Sequence, residues 1–287
     1  MRIGVLSPVV FRPTGQFSPW EVGAGTAEIV TIAQAADRLG YHHLTCSEHT
    51  AVPTAIAAKG GGTYWDPLAT LGFLAAKTER IALATHVLVL GYHHPLDIAK
   101  SYGTLDRLSG GRVILGLGVG SGAAEFALLG KDFANRGAIA DDAIAALRAS
   151  WGRETPSYRG PHFEFDDFVV DPHAPRTEVP LWIGGYTPRS LRRARELATG
   201  WAPFGLSPDR VAELLARGVS PDGFDVILPL PPLDPTREAE RTIDLAGRHR
   251  EAGATVLNVA LRADNVEHWV EQATALKELL PDAAWSS

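Results

Sequence analysis

Leu105-Asp106-Arg107-Leu108-Ser109-Gly110-Gly111-Arg112-Val113-Ile114-Leu115-Gly116-Leu117-Gly118-Val119-Gly120-Ser121-Gly122 reads as a helix end, a stop, a strand and a glycine-rich turn. Leu105 and Leu108 suggest an apolar side for the incoming helix, with Asp106 and Arg107 on the polar side. Ser109-Gly110-Gly111 ends that helix, because glycine takes the left-handed conformation of a C-terminal cap without steric cost. Val113, Ile114 and Leu115 form a short apolar run bounded by turn residues, the pattern of a buried parallel strand. Glycines then recur at Gly116, Gly118, Gly120 and Gly122. Such a turn either relieves crowding inside a barrel or opens backbone N–H groups to a phosphate or a flat ring. The spacing departs from G-x-G-x-x-G followed by a helix and a ribose-binding acid, so a Rossmann site is not expected.

The same alternation extends in both directions. Upstream, Ile3–Leu6 reads as a strand, Thr26–Leu39 as a helix capped by Gly40, and His43–Ser47 as a second strand. A long loop through Gly60-Gly61-Gly62 leads to Asp66-Pro67, a helix start that runs to about Thr78. Ile81–Leu90 reads as the third strand, and His94-Pro95 opens the next helix. Downstream, Ala138–Trp151 is an amphipathic helix, and Tyr158–Val170 alternates like a hairpin within an excursion around residues 121–175. Strands then recur at Leu181–Ile183, Gly200–Phe204, Val226–Leu228 and Thr255–Val259. Helices follow each of them, at Pro188–Ala198, Pro208–Arg217, Thr236–Glu251 and Val266–Leu280. Eight strand–helix pairs without a linker predict an α/β fold, a single (β/α)8 TIM barrel over residues 1–287. A doubly wound open sheet is the competing architecture.

The chain has 287 residues, 45% hydrophobic and 21% charged, enough for a large core. A net charge of −6, mixed in sign along the chain, gives no nucleic-acid or polybasic membrane surface. The one cysteine, Cys46, lies inside an apparent buried strand and reads as a packed thiol in a cytoplasmic protein. No signal peptide or membrane span is expected.

In a TIM barrel the site forms at the C-terminal ends of the strands. That rule selects Ser7-Pro8, Glu48-His49, the end of the third strand, Gly118–Gly122, Gly184-Gly185-Tyr186 and Phe204. His49 can donate or accept a proton near neutral pH, or simply bond to the next loop. Glu48 points to the opposite face if the strand persists, so the two are not automatically a dyad. His42-His43, His86 and His93-His94 have no metal-ligand spacing, so a metallohydrolase barrel is a weak competitor and no metal is expected. His94 reads as a helix cap instead. Free N–H groups at Gly184-Gly185 and at Gly120–Gly122 suit an anionic tail, with Arg189, Arg192 and Arg193 nearby.

LDRLSGGRVILGLGVG resembles the matching stretch of the bacterial-luciferase-like oxidoreductases, TIM barrels that use flavin or deazaflavin. The resemblance runs through Asp66-Pro67, Thr78-Glu79-Arg80-Ile81, His94-Pro95, Glu125-Phe126, Pro180–Gly185 and Gly200-Trp201, and is clearest between about Thr26 and Leu206. It implies that His49, in Ser47-Glu48-His49, is the catalytic residue beside the coenzyme's reactive ring. It implies a cis His86–Val87 bond behind that ring, with Thr85, and a histidine where a small residue is usual. Cofactor contacts are expected from Ser7, Thr85, His86, Val87, Gly118, Gly120, Ser121, Gly122, Gly184, Gly185 and Tyr186. The motif style is closest to the coenzyme F420 branch, implying hydride transfer to or from a small organic substrate in a homodimer. An FMN-dependent monooxygenase and a non-catalytic flavin-binding barrel are the alternatives. Pro53 and Ser121 stand where glucose 6-phosphate users carry tryptophan and an acid, which argues against that substrate.

Overall fold

The computed structural model describes residues 1–12, 14–15 and 17–285. In chain order the elements are β1 (Arg2–Val5), α1 (Thr26–Leu39), β2 (His43–Cys46), α2 (Thr54–Gly60), α3 (Pro67–Ala75), β3 (Ala82–Val89), α4 (Pro95–Leu108) and β4 (Val113–Gly118). There follow α5 (Ala123–Leu128), α6 (Arg136–Ser150), the short strands β5 (Tyr158–Arg159) and β6 (Glu164–Phe165), β7 (Leu181–Gly184), α7 (Pro188–Leu197) and β8 (Gly200–Ala202). The chain closes with α8 (Pro208–Leu215), β9 (Asp225–Pro229), α9 (Ala239–Glu251), β10 (Val256–Val259) and α10 (Val266–Leu279).

Eight of these strands form a closed parallel barrel in the order β1-β10-β9-β8-β7-β4-β3-β2. The α/β TIM-barrel expectation therefore holds, and the open sheet does not. The excursion also appears: β5 and β6 pair antiparallel outside the barrel, Tyr158 opposite Phe165. Helix α2 lies within what reads from sequence as an uninterrupted loop.

Helices α3, α4, α7, α8 and α10 each start at a residue whose side chain caps them. Asp66 Oδ1 accepts from Ala69 N at 2.7 Å ahead of Pro67, and Asn265 Oδ1 accepts from His268 N at 2.8 Å. His94 is the cap of α4, its Nδ1 accepting from Leu96 N at 3.2 Å. Gly40, at φ 84°, ends α1.

Most of the core lies between the barrel and its helices, whereas Ala84, Ile114, Trp182, Ala202, Ile227 and Val256 form a second cluster inside the bore. In α4 the inward face is Ile98, Ala99, Tyr102, Leu105 and Asp106, a 3.6-residue period. Leu108 falls off that face and is 77% exposed, whereas Asp106 falls on it and is fully buried. The sequence reading of those two residues is thus reversed. Asp106 is accommodated by Arg176, whose Nε and Nη2 both reach its carboxylate, at 3.0 and 2.6 Å, and by Val113 N at 3.2 Å. This pair ties the end of the excursion to the start of β4.

Candidate active site

The C-terminal ends of the strands bring His49 and Glu125, 76 residues apart, into contact. His49 follows β2, and Glu125 sits in α5, one turn past the glycine-rich end of β4. His49 Nδ1 lies 2.7 Å from Glu125 Oε2. Glu125 Oε1 accepts from Thr50 N at 2.6 Å and Ala51 N at 3.1 Å, and the Tyr92 hydroxyl also bonds to this carboxylate. Burial pushes the Glu125 carboxyl up, but these hydrogen bonds outweigh it and hold the carboxyl below its ordinary value. An ionised carboxylate only accepts, so His49 donates from Nδ1, and in the neutral ring it is Nε2 that carries the lone pair. Tyr64 packs edge-on against the imidazole, ring centroids 4.3 Å apart.

Glu48 faces elsewhere, as expected, although β2 ends at Cys46 and does not itself impose that orientation. Its Oε2 accepts from Val89 N at 2.6 Å and its Oε1 contacts His93 Nε2 at 2.7 Å. Next to it, Ser47 Oγ donates to His86 O at 2.7 Å and Glu48 N to Val87 O at 3.3 Å. These contacts hold a bulge in β3, where the register with β4 shifts between Thr85 and Leu88. The His86–Val87 bond inside it is cis. Burial lowers the His86 imidazole to about 4, and its Nδ1 is buried without a hydrogen-bond partner. Thr85 Oγ1 turns into the sheet and donates to Gly116 O at 2.8 Å. Ser7 Oγ accepts from Thr45 N at 3.2 Å, stitching the end of β1 to β2.

The glycines surround protein atoms. A Cβ on Gly118 would stand 2.6 Å from Val87 Cγ2, and one on Gly184 2.9 Å from Val87 Cγ1. Both strands thus lack side chains where the bulge pushes Val87 between them. Gly120, at φ +81°, packs against Phe126 and Val89, which an added Cβ would meet at 2.5 and 2.8 Å. Arg136 Nε donates to Gly120 O at 3.1 Å and lies over the Phe133 ring, so a cation unnoticed in the sequence pins this turn. Ser121 is exposed and Gly122 precedes α5. Trp201 Nε1 donates to Gly185 O at 3.0 Å. Tyr186 and Phe204, both about half exposed, meet edge-on at the rim.

The start of α7 offers an anion less than its sequence suggests, because Thr187 Oγ1 already accepts from Ser190 N. Arg193 is buried and points to α6, bonding Asp141 and Gly137 O; Arg189 and Arg192 remain exposed. His42 and His43 do not diverge as strand neighbours would. His42 precedes β2, and the two Nδ1 atoms approach to 2.9 Å. Among the described residues no cluster of three or more His, Cys, Asp or Glu could hold a metal. None of their helices is long and apolar enough to cross a membrane.

Two features were out of reach of sequence reasoning. Glu125 fell within a recognised stretch, but only the turn after Gly122 swings it over to His49. Tyr92 and Tyr64 carried no signal, since aromatic residues after strands are ordinary.

Against known proteins, a family model described as luciferase-like monooxygenase matches residues 1–273. A Mycobacterium tuberculosis protein named "Putative coenzyme F420-dependent oxidoreductase" is 30% identical over 177 residues, 58% of this chain and 50% of that one. A monooxygenase from Streptomyces bottropensis superposes with TM-score 0.74 at 21% identity, covering 99% of this chain and 100% of that one. An F420-dependent secondary alcohol dehydrogenase, solved with an F420-acetone adduct, superposes with TM-score 0.76 at 16% identity, covering 99% of each chain. At such identities the two structures speak for the fold alone. The family match extends from β1 into α10, and on that ground the chain belongs to the luciferase-like monooxygenase family.

Proposed function

We propose that this protein is an oxidoreductase that moves a hydride between coenzyme F420 and a small organic substrate, with His49 as the proton donor or acceptor. The observation that carries this reading is the His49–Glu125 pair at the C-terminal rim of the barrel. It holds the imidazole by Nδ1 and leaves Nε2 free to exchange a proton, next to the residues that contact the bulge containing His86 and Val87.

The residues present fit a flat tricyclic ring. Gly118 and Gly184 leave Val87 as the side chain standing between β4 and β7. The buried, unpartnered His86 Nδ1 offers a polar edge. Val87, His86 and Thr85 would back the ring; Gly118, Gly120, Ser121, Gly122, Gly184, Gly185 and Tyr186 would border its tail, with Ser7 bracing β1 and β2. The deazaflavin would supply a carbon that carries a hydride and does not readily activate oxygen. His49 then exchanges a proton at Nε2, while Glu125 holds the ring in place and favours the charged form whenever Nε2 is protonated.

The family description and the Streptomyces structure favour a second reading, an FMN-dependent monooxygenase. The name of the mycobacterial relative supports the deazaflavin. Fluorescence titration of both cofactors onto the purified protein separates them: F420 is expected to bind with a Kd well below that of FMN. Equal or reversed affinities would sink the deazaflavin reading.

A further inference from the structure

We propose that the bore of this barrel carries a water-bridged proton path, running from His86 at the rim through His43 and Asn258 to the Arg2–Asp225 cleft at the opposite end. The proposal rests on the reading that a redox ring binds at His86.

His43 and Asn258 are both fully buried. Gly4 pairs in register with Asn258, and a Cβ on Gly4 would stand only 1.9 Å from His43 Cε1. The His43 ring therefore lies over Gly4, between β2 and β10. Four polar atoms here are buried with no partner in hydrogen-bond geometry, His86 Nδ1, His43 Nε2, and Asn258 Nδ2 and Oδ1, although the Asn258 amide lies near enough to favour the charged form of His43 and so satisfies that ring in part. Proteins rarely tolerate this, because each such atom forfeits its hydration. The amide needs an acceptor for Nδ2 and a donor for Oδ1. Water supplies both, whereas a cation or an anion satisfies only one kind.

The line continues downward. His43 meets His42 at 2.9 Å between Nδ1 atoms, and His42, which is only partly buried, is the last relay before solvent. Trp182 packs beside it and donates from Nε1 to Asp225 Oδ2 at 3.3 Å. That donor has no lone pair, so it holds Asp225 in place and passes no proton. Asp225 pairs with Arg2 and accepts from Thr255 Oγ1 at 3.1 Å. Arg2, Asp225 and Thr255 line a surface cleft of about 670 Å³ at the N-terminal end of the barrel. His42 feels the charges of both Arg2 and Asp225, and His43 that of His86, so neighbours along the line are electrostatically in touch. Burial holds His42 and His86 at about 4 and His43 well below its ordinary value. All three are neutral near pH 7, with one N–H and one lone pair each.

A neutral imidazole takes a proton at one nitrogen and releases another from the second, so charge passes while the ring ends neutral. Hydride transfer to a ring held beside His86 would add one negative charge there. A proton drawn from bulk water at the cleft and relayed up the bore balances it, and the reverse transfer accompanies reoxidation.

The first test is a high-resolution crystal structure of the unaltered protein. Ordered water within hydrogen-bond distance of His86 Nδ1, His43 Nε2 and the Asn258 amide is expected, and a dry bore overturns the proposal. The second is His43→Leu, assayed with whichever cofactor supports turnover. Turnover should fall about tenfold, less than for a direct acid–base group, and the solvent deuterium isotope effect should grow, with cofactor Kd unchanged. Unchanged turnover and isotope effect in a folded variant would make the water purely structural and end the proposal. Should His43→Leu not fold, Asn258→Leu carries the same expectations. Failure of both flavin and deazaflavin to bind sinks the functional reading instead, and the crystallographic test still decides whether the bore is wet.

Discussion

With its carboxylate ionised, Glu125 can only accept, so the 2.7 Å contact decides which nitrogen of His49 bears the proton. Replacing His49 with alanine is expected to lower turnover roughly 10²–10⁴-fold, the range for one acid–base group, with little change in cofactor Kd. Steady-state kinetics beside a binding titration checks this, and unchanged turnover would return His49 to a structural role. Glu125→Gln keeps the shape but loses the charge and one acceptor face. It should cost turnover and also melting temperature, since Thr50 N and Ala51 N share Oε1. His49 was legible as a candidate because a histidine just past a strand end in a TIM barrel falls on the rim. Its partner was not, because the contact spans 76 residues and depends on how α5 turns after Gly122. The opposed orientations of Glu48 and His49 agree with strand alternation, but β2 ends at Cys46, so the contacts of the Glu48 carboxylate and the His49 ring fix them and not the pleat. The contact between His42 and His43 escaped the same rule because His42 stands outside the strand.

At the scale of elements, the glycines of β4 and β7 present the sharpest choice between packing and binding. Gly120 combines a left-handed φ with contacts that an added Cβ would violate on two sides, at Phe126 and Val89. Gly120→Ala should therefore destabilise the fold by about 1–3 kcal/mol through backbone strain, and by a comparable further amount, about 1–3 kcal/mol, through overpacking. Adding Phe126→Leu should recover part of the packing loss and none of the strain. Gly118→Ala collides with Val87 alone, so Val87→Ala in the same chain should restore most of its stability. Denaturant unfolding of the four proteins measures this. Near-normal stability of Gly120→Ala, with lost stabilisation by cofactor, would instead make the residue a binding one. The sequence showed the strand and its glycine turn because period and punctuation are local. It did not show what each glycine faces, which is a property of the neighbouring strand. Helix α4 teaches the same lesson in reverse. Counting i, i+3, i+4 from Ile98 brings Asp106 inward, but a charged residue in that register looks misplaced until Arg176, 70 residues on, supplies its partner.

For the molecule as a whole, the barrel is closed around three neutral histidines, and this sets how its stability responds to acid. His42 and His86 sit at about 4 and His43 well below its ordinary value, chiefly because burial disfavours their charged forms. In the unfolded chain each titrates near about 6.5. Between these values the unfolded state binds more protons than the folded one, so stability rises with pH across the window and is lost as pH falls. Each histidine contributes a slope of at most about 1.4 kcal/mol per pH unit. The carboxylates held low by hydrogen bonds, Glu125 and Asp37, lose stability only in a more acidic range. Melting temperature should therefore already decline from about pH 6.5 downward, before carboxylate protonation begins. His43→Leu, which removes one of the three, should decline less steeply over that window. A melting temperature flat down to about the ordinary carboxylate range, near pH 4, would mean that the bore admits solvent freely enough for its histidines to titrate normally.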